Sequence, residues 1–202
     1  MKICVAGWYY RQDFLEKLSK SHFEAFIIKH REGDTRGNPF LVCPNRGLEF
    51  GAYRQYVESV WDGQSDVFFT HDDAILSDVS GLNDIARLGA MGVDQAYIFH
   101  EEDNVLVNGR AHGRGVFMRG PVIAQVADDF PADMQNHGIN VGRIAQKGIL
   151  EFHRRMKKLS SNTTVIAIVP QIQYGHRGRI HEEMFVYRET GPIPGLMVNV
   201  SE

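Results

Sequence analysis

Short apolar runs alternate with helix-spaced patterns across the first hundred residues of this chain, and that alternation leaves few folds open. Residues 2–7, 23–30, 40–43, 67–69 and 96–99 read as buried strands, rich in β-branched and aromatic side chains. Helical spacing falls between them: a helix of about ten residues after Gly7, then residues 47–61 and 83–92. Strand, helix and strand in succession predict parallel pairing, because the crossover brings the chain back to run in the same direction. The expected fold class is therefore α/β, a Rossmann-type three-layer sandwich with a mainly parallel central sheet.

Two neighbouring stretches carry the chemistry. The strand Val67-Phe68-Phe69 breaks off into His71-Asp72-Asp73. Adjacent carboxylates are costly unless a positive charge sits between them or water screens them. At the C-terminal end of a strand in an α/β sheet, a divalent cation carrying a phosphate supplies that charge. The same triplet also reads as a helix cap or a solvated turn. Upstream, residues 44–53 form a turn that opens the helix 47–61, with Leu48, Ala52, Tyr56 and Val60 on one face and Glu49 and Tyr53 on the next. Backbone N–H groups at a helix start, with the macrodipole behind them, favour an anion such as a diphosphate. Arg46 adds a charge-assisted contact, while Glu49 is suited to a hydroxyl. A plainer reading makes Asn45 a cap and Glu49 a first-turn acid.

Asn45-Arg46-Gly47-Leu48-Glu49-Phe50-Gly51-Ala52-Tyr53, a helix, then Val67-Phe68-Phe69-Thr70-His71-Asp72-Asp73 resembles the nucleotide-sugar-binding half of a GT-A type glycosyltransferase. The likeness is to the small bacterial and phage type, in order of elements over residues 1–125 and most specific over 44–73. It implies a GT-A-like fold and a metal motif in which Asp73, with Asp72, holds Mn²⁺ or Mg²⁺ against a sugar-nucleotide diphosphate. The family's first carboxylate is replaced here by His71. Ala6, Gly7 and Trp8 would lie near the nucleotide base, with Trp8 or Tyr9 for stacking, while Asn45, Arg46, Glu49 and Tyr53 orient the donor. The resemblance also brings a late histidine to the metal, His176 first and His181 second, with Arg177 and Arg179 for phosphate charge. A neutral imidazole joins carboxylates on Mn²⁺ more readily than on Mg²⁺. On the acceptor side, Asp129-Phe130-Pro131 and Val141-Gly142-Arg143 can be laid on the family pattern, which puts His137 where inverting enzymes hold a general base. Asp129 and Asp133 are rivals for that task, and a retaining mechanism would not need it.

The remaining sequence sets bounds. A chain of 202 residues with 43% hydrophobic and 23% charged residues reads as one soluble domain, residues 1–100 binding the donor and 101–202 supplying the acceptor side and a closing loop. A formal charge of −3 argues against general nucleic-acid coating. No apolar run reaches membrane-spanning length and the N-terminal one is too short for a signal peptide, so the expected location is the cytoplasm. Cys4 and Cys43, both in expected strands, act as small hydrophobes. Later elements read as a hairpin through 105–110, a strand and short helix over 112–129, a long helix over 143–159 with a basic end, a strand over 163–169, an edge strand over 184–187, and a surface tail over 191–202. The expected function is metal-dependent transfer of a sugar from a nucleotide diphosphate donor to a hydroxyl acceptor: a glycan, a small molecule, a protein or modified DNA. Its rivals are a non-catalytic nucleotide- or glycan-binding module and a metal-dependent phosphohydrolase.

Overall fold

The structure, a computed structural model, describes residues 1–8, 11–30, 37–45, 48–99, 115–129, 164–174 and 197–199. It begins with strand β1 (Lys2–Gly7), helix α1 (Gln12–Lys20), β2 (Ala25–Lys29) and β3 (Leu41–Val42). Helix α2 (Leu48–Ser59), β4 (Val67–His71), β5 (Ala74–Leu76), α3 (Ser80–Ala90) and β6 (Gln95–Phe99) follow. Then come β7 (Gly115–Met118), α4 (Gly120–Val126), a 3-10 turn (Ala127–Asp129), β8 (Thr164–Ile168), β9 (Ile172–Tyr174) and β10 (Met197–Asn199).

Eight strands form one sheet in the order β10-β8-β6-β7-β4-β1-β2-β3. All pair in parallel except β7, which runs antiparallel to both β4 and β6. The mainly parallel sheet expected from the sequence is therefore present, with a single reversed strand inside it. One expectation is corrected at the C-terminus. Met197–Asn199 is not surface tail but an edge strand, in register with Ile166, Ala167 and Ile168 of β8.

Alternation along each strand divides the interior into two cores. Cys4, Ala6, Phe26, Ile28, Val67 and Phe69 face the layer of α2 and α4, meeting Phe50, Tyr53, Tyr56, Val57, Val122 and Ile123. Ile3, Val5, Phe68, Ala96 and Ile98 face the layer of α1 and α3, meeting Phe14, Leu18, Leu82, Ile85 and Leu88. In α1 and α3 these buried positions recur every three or four residues, so each helix turns one stripe to the sheet. Three layers result. Cys4 and Cys43 are free and buried, and burial pushes both thiols above their ordinary range. They pack as hydrophobes.

The β4 expectation needs one refinement. The strand does not stop at Phe69 but runs through His71, whose Cα pairs with Ala6 of β1. Asp72 and Asp73 then form a two-residue turn into β5. β5 belongs to a separate two-stranded sheet with β9, antiparallel, with Ala74 opposite Tyr174 and Leu76 opposite Ile172. Among the described residues, no helix is long and apolar enough to cross a membrane.

Candidate functional site

Parallel strands place their C-terminal ends on one edge of the sheet, and the turns that follow open a crevice there. Four such ends meet in this protein: Gly7 and Trp8 after β1, Lys29 and His30 after β2, Cys43 and Asn45 after β3, and His71 to Asp73 after β4. Helix α2 starts at the same edge, contributing Glu49 and Tyr53.

The two aspartates are buried, Asp72 to 1% exposure and Asp73 to 5%. Asp72 is fixed on both sides of its backbone. Its Oδ2 accepts the backbone N–H of Trp8 at 2.9 Å, and its own N–H donates to the Ala6 carbonyl at 3.1 Å. Asp72 thus ties the β1 turn to the β4 turn. Trp8, held by its backbone, leaves its side chain 42% exposed at the crevice. Asp73 lies on the other side of His71, with Oδ1 at 3.8 Å from His71 Nδ1. The second ring nitrogen of His71 stands 4.0 Å from Glu49 Oε1. A line of Glu49, His71 and Asp73 therefore joins the first turn of α2 to the end of β4, with Tyr53 beside it at 6.3 Å between ring centroids.

Gly7 sits in close packing. A Cβ there would stand 3.0 Å from Lys29 Cγ and 3.1 Å from Ile27 Cγ2. Ala6 is buried in the core beneath, opposite His71 and Ile28. Asn45 places its side-chain oxygen 3.4 Å from His30 Nδ1, a long contact that links the β2 and β3 ends. Of the residues singled out in the sequence, the fold thus gathers Ala6, Gly7, Trp8, Asn45, Glu49, Tyr53, Asp72 and Asp73 on one edge. Asp129 closes the 3-10 turn after α4. Arg46, Asp133, His137, His176, Arg177 and Arg179 lie outside the described residues.

Lys29 and His30 are the residues that reading the sequence missed. Both are buried, to 1% and 6% exposure, although polar. Their signal is a Lys-His pair directly after the apolar run Phe26-Ile27-Ile28. Polar groups at the end of a buried parallel strand face the crevice or need a partner. Burial lowers the His30 pKa below its ordinary value, while Asn45 and the negative charge of Asp72 pull it partly back.

The donor set is hard oxygen with imidazole, chemistry that suits Mn²⁺ or Mg²⁺. Among the described residues, no three acidic, histidine or cysteine side chains stand close enough together to hold a metal ion. Asp72 and Asp73 can form only part of such a site. The β5–β9 ladder bears on the rest, because Tyr174 lies opposite the residue that follows Asp73. β9 therefore ends beside the turn that carries Asp72 and Asp73.

No family profile and no curated relative matches this chain. Among solved structures, glucosyl-3-phosphoglycerate synthase from Mycobacterium tuberculosis, in complex with Mg²⁺ and uridine diphosphate, matches with a TM-score of 0.54 at 10% identity. The match covers 88% of this chain and 72% of that one. This is a GT-A-type fold. S. aureus TarS 1-349 in complex with UDP-GlcNAc matches at a TM-score of 0.45 and 14% identity, over 75% of this chain and 54% of that one.

Proposed function

We propose that this protein transfers a sugar from a nucleotide diphosphate donor to a hydroxyl acceptor, with a divalent cation held at the end of β4. The observation that carries the reading is a pair of consecutive buried carboxylates, Asp72 and Asp73, in the turn that ends β4 within a GT-A fold. Buried charge of one sign is costly, and a site that binds a cation with a diphosphate offsets it. The glucosyl-3-phosphoglycerate synthase that shares the fold was solved with Mg²⁺ and uridine diphosphate, which supports the same ligand class here.

Asp73 would be the principal metal ligand, with Asp72 beside it and His176, by the sequence resemblance, completing the set. A divalent cation there would neutralise charge developing on the diphosphate leaving group. His71 stands between Glu49 and Asp73, 4.0 Å from the one carboxylate and 3.8 Å from the other. Asn45, Arg46, Glu49 and Tyr53 orient the donor, Arg177 and Arg179 share the phosphate charge, and Ala6, Gly7 and Trp8 border the base. If configuration inverts, His137, Asp129 or Asp133 takes the acceptor's proton.

Calorimetry with a panel of sugar nucleotides, with and without Mn²⁺, tests this. The expected result is metal-dependent binding, slow donor hydrolysis, and loss of both in Asp73→Asn. Turnover by Asp73→Asn at the parent rate would overturn the proposal. Metal-independent binding without turnover would instead mark a binding module, and phosphate release from simple esters a hydrolase.

A further inference from the structure

His30 Nε2 is buried and, among the described residues, has no hydrogen-bond partner, in a side chain 6% exposed at the crevice edge. Its other nitrogen faces Asn45 Oδ1 at 3.4 Å. An amide oxygen only accepts, so Nδ1 carries the proton and the neutral ring holds its lone pair on Nε2. Burial favours that neutral form. Leaving a buried polar atom unpaired is costly, and natural structures rarely do so without a reason. We propose that His30 is a specificity-determining residue, whose Nε2 accepts a hydrogen bond from a neutral N–H or O–H group of the nucleoside in the bound donor.

The chemistry narrows the choice of partner. At neutral pH a diphosphate is an acceptor without hydrogens to give, so it cannot satisfy this lone pair. Within a nucleotide diphosphate, the nucleoside's donors are ring or exocyclic N–H groups of the base and hydroxyls of the ribose. A base with a ring N–H, such as uracil, would satisfy Nε2, whereas cytosine presents a lone pair at the same ring position and would face it unfavourably. This inference rests on the nucleotide reading of the crevice and adds the residue that selects the nucleoside.

The test is calorimetry on the full chain with Mn²⁺ at about pH 8, above the ordinary histidine range. The probes are uridine diphosphate, its 2′-deoxy form, cytidine diphosphate and inorganic pyrophosphate. His30→Phe keeps a ring but removes the lone pair, while His30→Gln returns an acceptor near the Nε2 position. The expected result is uridine diphosphate binding roughly tenfold weaker in His30→Phe, recovered in His30→Gln, with pyrophosphate binding unchanged. Parent preference over cytidine diphosphate that disappears in His30→Phe assigns the base. Preference over the 2′-deoxy form that disappears assigns the ribose. Equal binding of uridine diphosphate by parent and His30→Phe overturns the inference and leaves the nucleotide reading standing. An equal loss for pyrophosphate overturns it too, since His30 would then only support Asn45 and the α2 start. If no probe binds the parent, the nucleotide reading falls and takes the inference with it.

Discussion

Asp72 and Trp8, 64 residues apart, are joined by a 2.9 Å hydrogen bond from the Trp8 backbone N–H to Asp72 Oδ2. A charged acceptor on a backbone donor is among the stronger hydrogen bonds, worth about 1.5–3 kcal/mol. This one fixes the turn after β1 against the turn after β4. Asp72→Ala is expected to free that turn, while Asp72→Asn, which keeps an oxygen acceptor, should largely preserve it. The second tryptophan, Trp61, is anchored by its own indole N–H on the Ser65 carbonyl at 2.8 Å. In a Trp61→Phe background, Trp8 anisotropy should fall in Asp72→Ala and stay near the parent value in Asp72→Asn.

Gly120 opens α4 with its N–H on Asp66 Oδ1 at 3.0 Å, and an added Cβ would collide with the Gln64 carbonyl oxygen. Backbone cannot swing aside as a side chain can. Gly120→Ala should therefore cost about 1–3 kcal/mol or more in urea unfolding. Gly63→Ala provides the contrast, since nothing lies within 4 Å of its Cβ and only its φ of +80° resists. Its cost should be roughly 1–2 kcal/mol.

Tyr56 lies fully buried against Phe26 and Phe69, with its hydroxyl unpartnered among the described residues. Burial pushes that hydroxyl well above the ordinary phenol range, helped by Cys4, Asp62 and Glu24. A desolvated hydroxyl without a partner contributes nothing to offset its loss of water. Tyr56→Phe is expected to unfold at the same urea concentration as the parent or at a higher one, with a gain of about 1 kcal/mol or less. A loss well beyond that size would mean the hydroxyl has a partner.

His30 gives stability a pH dependence. Its folded pKa is lowered by burial, so below the unfolded value near 6.5 the unfolded chain binds the extra proton first. The contribution is complete above about pH 6.5 and is lost as the pH falls through the lowered folded pKa. Thermal melts of parent and His30→Gln across that window should diverge, with the parent losing more stability on acidification. Parallel curves would assign the acid sensitivity elsewhere.

Much of this fold was legible in the chain itself. Ile3 and Val5 alternate with Cys4 and Ala6, Phe14 and Leu18 lie one helical turn apart, and Val67-Phe68-Phe69 runs apolar on both faces, so strand, helix and buried strand each carry a local signature. The gathering of Asn45, Glu49, Asp72 and Asp73 was legible too, because strand–helix order alone dictates that their turns share an edge. Other features depend on partners distant in sequence. The reversal of β7 between β4 and β6, the recruitment of Met197–Asn199 as an edge strand, and the pairing of Tyr174 with Ala74 follow from which strand ends lie side by side. So does the role of His30. A histidine after an apolar run has no local mark of being buried with one nitrogen on Asn45 and the other unpaired; only the packing of β2 and β3 against their neighbours decides that. Local periodicity is set by the residue-to-residue geometry of the backbone, whereas contacts between distant segments are set by the shape of the space the whole sheet encloses.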